Sequence, residues 1–243
     1  MSRLINLARV GLVASAMLLS GCATTSENGV NDPFESYNRA MFKFNDVLDR
    51  AVVRPVARGY DTVVPEPISW GISNFFSNLN DITVAINSLL QGKFRQAGQD
   101  AGRFILNSTV GVAGIFDVAT PAGYTKNNED FGQTLGVWGF DTGPYIVLPF
   151  LGPSTGRDAL GRIPDWYTDP VMHIDHTETR YVVIGTRVID TRANLLQAES
   201  VMRQAATDEY AFVRDAYLQR RLYLVHDGNP PQDDYDIFDD DID

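Results

Sequence analysis

Apolar side chains recur at intervals of three and four residues along most of this chain, which is the spacing of one face of an α-helix. The first stripe follows Asp32-Pro33, a pair typical of a helix start with Asp32 as N-cap, and Pro55 predicts a break in that helix. Further stripes predict helices over residues 65–79, 82–90, 93–108, 177–206 and 208–226. The sequence therefore predicts a mainly α fold built from amphipathic helices.

Residues 131–156 depart from this pattern, because glycines and prolines interrupt an apolar run in which Asp141 is the one charged residue. Such a run is too apolar for an exposed loop, and its glycines and prolines disfavour a regular helix. It is either a buried hairpin-like insertion or a segment that contacts a membrane or a ligand. The side chains assigned to this hairpin or contact are Trp138, Phe140, Tyr145, Leu148 and Phe150.

The N-terminus has the features of an export signal. Residues 1–21 contain Arg3 and Arg9, no acidic residue, a short apolar run and small residues before Cys22. Leu19-Ser20-Gly21-Cys22 resembles a lipobox, which predicts that Cys22 carries the lipid anchor, and Ala23 after it favours the outer membrane. The alternative is an ordinary signal peptide with an incidental cysteine. Because Cys22 is the only cysteine, the chain has no internal disulfide.

Charge divides the remaining chain into three parts. Residues 22–31 are short and polar and predict a tether, and residues 32–226 hold the helical domain. Residues 227–243 are rich in aspartate and contain no lysine or arginine, which predicts a disordered acidic tail. The net charge of −11 argues against nucleic acid as a partner, since phosphate binding needs a basic patch.

The chain contains no motif that predicts a reaction. It lacks a GxSxG nucleophile elbow, a phosphate-binding loop and an HExxH zinc motif. His173 and His176 are better explained as surface or packing residues than as metal ligands. A spatial triad stays open as an alternative, because its members need not be close in sequence. We therefore predict no enzymatic activity, no catalytic residue, no metal site and no cofactor.

Several ordered motifs together resemble the MlaA/VacJ family of outer-membrane lipoproteins. The resemblance is continuous from the lipobox to about Arg221, and the acidic tail falls outside it. No single motif would be specific. The motifs include Asn31–Glu35, Tyr37–Arg39, Arg54–Ala57, Asn74–Leu79, Asp130–Gly136 and Gly143–Tyr145.

The resemblance implies a ring-like arrangement of helices in the inner leaflet of the outer membrane, anchored on the periplasmic side. Such proteins associate with trimeric porins. They remove mislocalised phospholipid from the outer leaflet and pass it to a soluble periplasmic carrier, MlaC, which maintains lipid asymmetry. An apolar rim and a polar bore would lower the cost of moving a headgroup through hydrocarbon without any change in covalent bonds.

Polar residues near and on the long predicted helix are candidates for the lining of that channel. Arginine suits a lipid phosphate because its planar fork donates two parallel hydrogen bonds. The alternative for each is a solvated face or an internal ion pair. For the whole protein the alternatives are a porin-associated envelope scaffold without transport, or a lipid hydrolase. The candidates are Arg157, Asp158, Arg187, Asp190, Asn194 and Arg203.

Overall fold

A computed structural model describes residues 32–199 and 206–231 and has a mainly α fold, which confirms the predicted class. The predicted signal peptide, Cys22, the tether, Arg203 and most of the acidic tail lie outside these residues. The α-helices are α1 (Glu35–Leu48), α2 (Arg54–Val63), α3 (Glu66–Leu90), α4 (Phe94–Thr109), α5 (Phe131–Val137), α6 (Gly156–Thr168), α7 (Thr177–Asn194) and α8 (Glu209–Val225). The other elements are a π-helical turn (Asp49–Val53), a 3-10 helix (Pro170–His173) and the strands β1 (Tyr145–Leu148) and β2 (Gly152–Thr155).

Three helix boundaries differ from the prediction. Helix α1 begins at Glu35 with Phe34 as N-cap, because the carboxylate of Asp32 instead accepts a hydrogen bond from the Asn38 side chain. Helix α3 is one continuous helix where two were predicted. Helix α7 ends at Asn194 rather than continuing through residue 206, and a turn separates it from a helical segment at 196–199.

The glycine- and proline-rich segment folds into a short helix and a hairpin. Asp130 caps α5 by accepting a hydrogen bond from the Gln133 amide, although the sequence predicted no helix in this segment. Strands β1 and β2 are antiparallel, with Tyr145 opposite Thr155 and Leu148 opposite Gly152. The hairpin-like insertion expected from the sequence is therefore present.

Two asparagines on α1 hold the strand β1. The Asn38 amide donates to the Tyr145 carbonyl at 3.0 Å and accepts from the Val147 amide at 2.8 Å. One heptad further on, the Asn45 side chain donates to the Leu148 carbonyl at 2.9 Å and accepts from the Phe150 amide at 2.8 Å. Each asparagine side chain thus donates one hydrogen bond to the β1 backbone and accepts one from it, as a residue of a neighbouring strand would.

The packing contacts between elements close into a cycle. Helix α1 continues through the π-helical turn into α2, α2 packs on α7, and α7 packs on the 3-10 helix. The 3-10 helix packs on α6, α6 on β2, and β1 returns to α1. This closed path agrees with the ring-like arrangement that the resemblance implied, and α3 packs on α5, α6 and α7 beside it.

Burial in the helical hairpin of α3 and α4 is inverted relative to an ordinary water-soluble helix pair. Most of the buried side chains of these helices are polar or charged, with Val84 and Ala97 as apolar exceptions, and include Asn78, Asp81, Asn87, Asp100 and Arg103. Large apolar side chains lie on the outside, and Phe94 is 73% exposed. An amphipathic helix normally buries its apolar stripe, so these two helices have the polarity expected for contact with an apolar surrounding.

Candidate functional site

A cavity of about 1100 Å³ lies between α1, the β-hairpin, α7 and α8. Apolar side chains form most of its wall, and this volume is large enough for acyl chains. The apolar wall residues include Phe42, Leu48, Val147, Phe150, Leu151, Val188, Leu195, Phe212 and Val213.

A cluster of two arginines and two carboxylates lies at one part of this wall. Arg192 donates to the Asp49 carboxylate through Nε at 2.7 Å and Nη2 at 2.9 Å. Arg54 lies 3.1 Å from Asp49, and both arginines also pair with Glu199. Desolvation raises the pKa of Asp49, but Arg192 and Arg54 outweigh it and leave that pKa below its usual value. Asp49 therefore stays ionised, and the cluster pairs two arginines with two carboxylates.

Among the predicted channel residues that the structure describes, Arg187 lines the cavity. Its guanidinium forms a bidentate pair with Asp169, with Nη1 at 2.7 Å from Oδ2 and Nη2 at 2.9 Å from Oδ1. The same guanidinium lies 5.5 Å from the centre of the Phe76 ring. These contacts fix the side chain against the wall.

Asp190 and Asn194 face the neighbouring helices instead of the cavity. The buried Asp190 carboxylate accepts hydrogen bonds from Tyr60 at 3.0 Å and from Ser73 at 2.9 Å, and Asn194 donates to the Ser73 hydroxyl at 3.1 Å. Helix α7 presents residues 188, 191 and 195 to the cavity, about 100° from the face that was predicted. The expected polar stripe therefore holds α7 on α2 and α3.

Arg157 and Asp158 are buried among α5, α6 and α8 and lie outside the large cavity. Asp158 accepts from Arg221 Nη2 at 2.8 Å and from the Tyr217 hydroxyl at 2.7 Å. Both residues were predicted to line the channel. They lie instead at the N-terminus of α6, on the side that faces α5. The two helices cross closely at Gly161, where an added Cβ would lie 2.4 Å from the Gly132 nitrogen.

The predicted hairpin residues divide between core and surface. Tyr145 is only 2% exposed and packs at 6.2 Å from the rings of both Tyr210 and Tyr217, so its side chain belongs to the core and not to a membrane contact. Leu148 is partly buried. The exposed ones are Trp138, Phe140 and Phe150.

Sequence reasoning missed Asp49, Arg162, Arg192 and Phe212, which all line the cavity. Asp49 belongs to a Leu48-Asp49 motif of the resemblance but was not assigned to the site, and the four residues come from four elements that meet only in the folded chain. Within residues 32–199 and 206–231, no group of three His, Cys, Asp or Glu side chains is placed to hold a metal ion. Within the same ranges no helix combines the length and hydropathy needed to cross a bilayer.

The closed helical path, the apolar cavity and the inverted polarity of α3 and α4 define a helical protein built for contact with lipid. The chain belongs to the MlaA lipoprotein family, whose family model matches residues 30–224. The resemblance noted in the sequence is thereby confirmed.

Relatives and a solved structure agree with this assignment. The chain is 38% identical over 230 residues to the "Intermembrane phospholipid transport system lipoprotein MlaA" of Escherichia coli K12, covering 89% of this chain and 88% of the relative. It is 36% identical over 222 residues to the protein of the same description from Haemophilus influenzae, covering 88% of each. A solved structure described as "Structural basis for maintenance of bacterial outer membrane lipid asymmetry" superposes with a TM-score of 0.69 and 37% identity, covering 81% of this chain and 100% of the other.

Proposed function

We propose that this chain removes mislocalised phospholipid from the outer leaflet of the outer membrane through a passive amphipathic channel. It hands the lipid to a soluble periplasmic carrier and so maintains lipid asymmetry. The E. coli and H. influenzae relatives are described as lipoproteins of an intermembrane phospholipid transport system, which supports the same activity here. The proposal includes a cleaved signal peptide, a lipid anchor at Cys22 on the periplasmic side, a trimeric porin as neighbour and MlaC as the carrier. No covalent bond of the lipid changes.

The observation that carries the proposal is the combination of an apolar exterior with an apolar cavity. Outward-facing Phe94, Ile105 and Trp70 are each more than half exposed, and burying such side chains in lipid is worth about 1.5–3 kcal/mol each. Inside the closed path, the wall offers apolar contacts next to fixed arginines. A phospholipid therefore meets a surface that matches both its tails and its phosphate, which lowers the barrier to leaving the bilayer.

A charge placed in the cavity tests the proposal. Val188 is on the wall, so Val188→Asp puts a carboxylate where acyl chains pass, whereas Val188→Thr keeps the shape without a charge. In cells that lack their own copy, we expect the wild-type chain and Val188→Thr to keep outer-leaflet phospholipid low. Val188→Asp should let it accumulate, as should Cys22→Ala, which removes the anchor. Normal asymmetry with Val188→Asp, at equal protein levels, contradicts a channel through this cavity.

Purification from native membranes tests the partners. We expect phospholipid and a trimeric porin to co-purify with the chain, and labelled phospholipid to move to MlaC when the carrier is added. A porin complex that contains no lipid and transfers none favours the scaffold alternative. Release of fatty acid or lysolipid by the purified chain, lost on a single Ser or His substitution, favours the hydrolase alternative.

A further inference from the structure

The wall of the large cavity carries four arginines, and three of them have carboxylate partners. Arg54 and Arg192 pair with Asp49 and Glu199, and Arg187 pairs with Asp169. Arg162, on α6, is the fourth. In the described ranges of the chain, no carboxylate oxygen lies within ion-pair distance of its guanidinium. Its single hydrogen bond runs from Nη2 to the Pro153 carbonyl of β2 at 3.4 Å, and its buried Nε–H has no acceptor.

The carboxylates nearest to Arg162 along the chain are committed elsewhere. Asp158, four residues before it, accepts from Arg221 and Tyr217. Asp165, three residues after it, accepts from the Phe131 amide at 3.1 Å and from the Asn87 side chain at 3.0 Å. Four carboxylates line the cavity together with Arg162: Asp49 and Glu199 pair with Arg192 and Arg54, Asp46 pairs with Arg50, and Glu209 forms no ion pair with Arg162. Among the described residues Arg162 therefore has no carboxylate partner of its own, an arrangement that a buried or partly buried cation avoids unless an anion completes it.

We propose that Arg162 binds the phosphodiester of a phospholipid whose acyl chains occupy the cavity. This inference rests on the proposed function and names the lipid group that the channel recognises. A guanidinium presents parallel N–H donors that match two phosphate oxygens, and it stays protonated at any physiological pH. The phosphodiester is common to all glycerophospholipids, so the site distinguishes phospholipid from neutral lipid and does not select among headgroups.

The binding test uses the full lipidated chain, purified in detergent, stripped of endogenous lipid and then exposed to one probe at a time. The probes are dioleoylphosphatidylglycerol, dioleoylphosphatidylethanolamine, dioleoylglycerol and inorganic phosphate, and the readout is the ligand retained per protein. The variants are Arg162→Gln, Arg162→Lys and the matched control Arg58→Gln, which removes an equal charge from an exposed site on α2 away from the cavity.

We expect Arg162→Gln to retain both phospholipids about tenfold less well than the wild-type chain, as the loss of a charge-assisted hydrogen bond predicts. Arg162→Lys falls between the two, because it keeps the charge without the fork, and Arg58→Gln matches the wild-type chain. Dioleoylglycerol is retained equally by all four proteins. Equal phospholipid retention by Arg162→Gln and the wild-type chain overturns the inference.

Two further measurements separate lipid binding from other roles of Arg162. The lipid-free Arg162→Gln protein should unfold at the same temperature as the lipid-free wild-type chain or above it, since a cation without a carboxylate partner among the described residues has been removed. A lower unfolding temperature assigns Arg162 a structural role and overturns the inference. Inorganic phosphate that binds the wild-type chain as well as phospholipid does, and displaces it, identifies a free-anion site and also overturns it. A wild-type chain that retains no lipid of any kind overturns the proposed function itself.

Discussion

The helical hairpin of α3 and α4 and the region between α1, the β-hairpin and α8 differ in their interiors, because only the second contains a buried aromatic cluster among the described residues. Between α3 and α4 the interior is ionic, with Asp81 paired to Lys126 and lying 3.6 Å from Arg103, whose Nη2 is 3.2 Å from Asp117. Burial raises the pKa of Asp81 although Lys126 and Arg103 oppose the rise.

The second region has an aromatic and aliphatic core. Tyr145, Val147 and Tyr210 are at most 3% exposed, and Phe42 packs edge-on at 5.8 Å from Tyr210. Beside this cluster lie the buried polar side chains Asp32, Asn38 and Arg214. From this contrast we expect the outer side of the α3–α4 hairpin to face hydrocarbon and the outer side of the second region to face water.

The largest expected effect is the loss of the ionic interior. Arg103→Ala removes hydrogen bonds to the Thr120 hydroxyl and the Tyr124 carbonyl and leaves Asp81 with one cation fewer. We expect the free energy of unfolding in detergent micelles to fall by about 3–5 kcal/mol, as for other broken buried ion pairs. Arg95→Ala, on the exposed side of α4, serves as control. A loss of unfolding free energy below about 1 kcal/mol for Arg103→Ala would show that the buried ion pairs do not stabilise the α3–α4 hairpin.

The next effect is a pH dependence at Asp165, which joins α6 to Asn87 of α3. Burial raises the pKa of Asp165 to about 6, despite opposing hydrogen bonds from Phe131 and Asn87. The folded state therefore holds this proton more tightly than the unfolded state, so the contribution is complete below about pH 4 and is lost as pH rises through 6.

The measurement is the difference in unfolding free energy between the wild-type chain and Asp165→Asn across this range. We expect the difference to decrease by at most about 3 kcal/mol from pH 4 to pH 7. Asp61→Asn, at an exposed position, should follow the wild-type curve. Parallel curves for the wild-type chain and Asp165→Asn would show that this carboxyl is as well solvated folded as unfolded.

A third test addresses the outer surfaces of the two regions. Phe94→Gln with Ile105→Gln makes the exposed side of α4 polar, and Tyr223→Gln makes an equivalent change on α8, where Tyr223 is 51% exposed. With Cys22→Ser to remove the anchor, we expect the α4 pair to weaken binding to phosphatidylcholine vesicles by about 3 kcal/mol, more than a hundredfold. Tyr223→Gln should leave vesicle binding unchanged. Equal losses for both would mean that the regions do not differ in what they face.

The smallest effect is expected in the aromatic core. The hydroxyl of Tyr145 is buried and has no hydrogen-bond partner within the described residues. Tyr145→Phe removes that unpaired group without opening a cavity, so the free energy of unfolding should rise by up to about 1 kcal/mol. Tyr145→Ala serves as the contrasting variant, since it opens a cavity and should be clearly destabilising. A loss of stability in Tyr145→Phe would reveal a bond to this hydroxyl.

The helices could be read from the sequence because their periodicity is local. The stripes over 93–108 and 208–226 agree with α4 and α8 within one residue at each end. The direction in which a stripe faces could not be predicted, since a helix with one apolar side has the same period in water and in lipid. The periodicity of the sequence therefore could not predict that the apolar side chains of α3 and α4 face outward and the polar ones inward.

The site was less predictable than the fold, for a related reason. Arg187 was found because it belongs to a polar stripe on α7, but Asp190 and Asn194 of the same stripe turned out to hold α7 against α2 and α3. Arg162 offered no sequence signal, because its significance is the absence of a carboxylate partner among the described residues, and partners come from elements distant in the chain. Side-chain pairing is a tertiary property, and a single sequence does not contain it in readable form.

The side-chain amides of Asn38 and Asn45 affect whether another polypeptide can pair with the β-hairpin. Both strands of a two-stranded sheet are edge strands with unpaired backbone N–H and C=O groups. Such edges can pair with strands of other polypeptides and can start aggregation. Here the outer border of β1 is closed by side chains of its own chain at Tyr145, Val147, Leu148 and Phe150. The hairpin is thereby protected along β1 from pairing with a strand of another polypeptide.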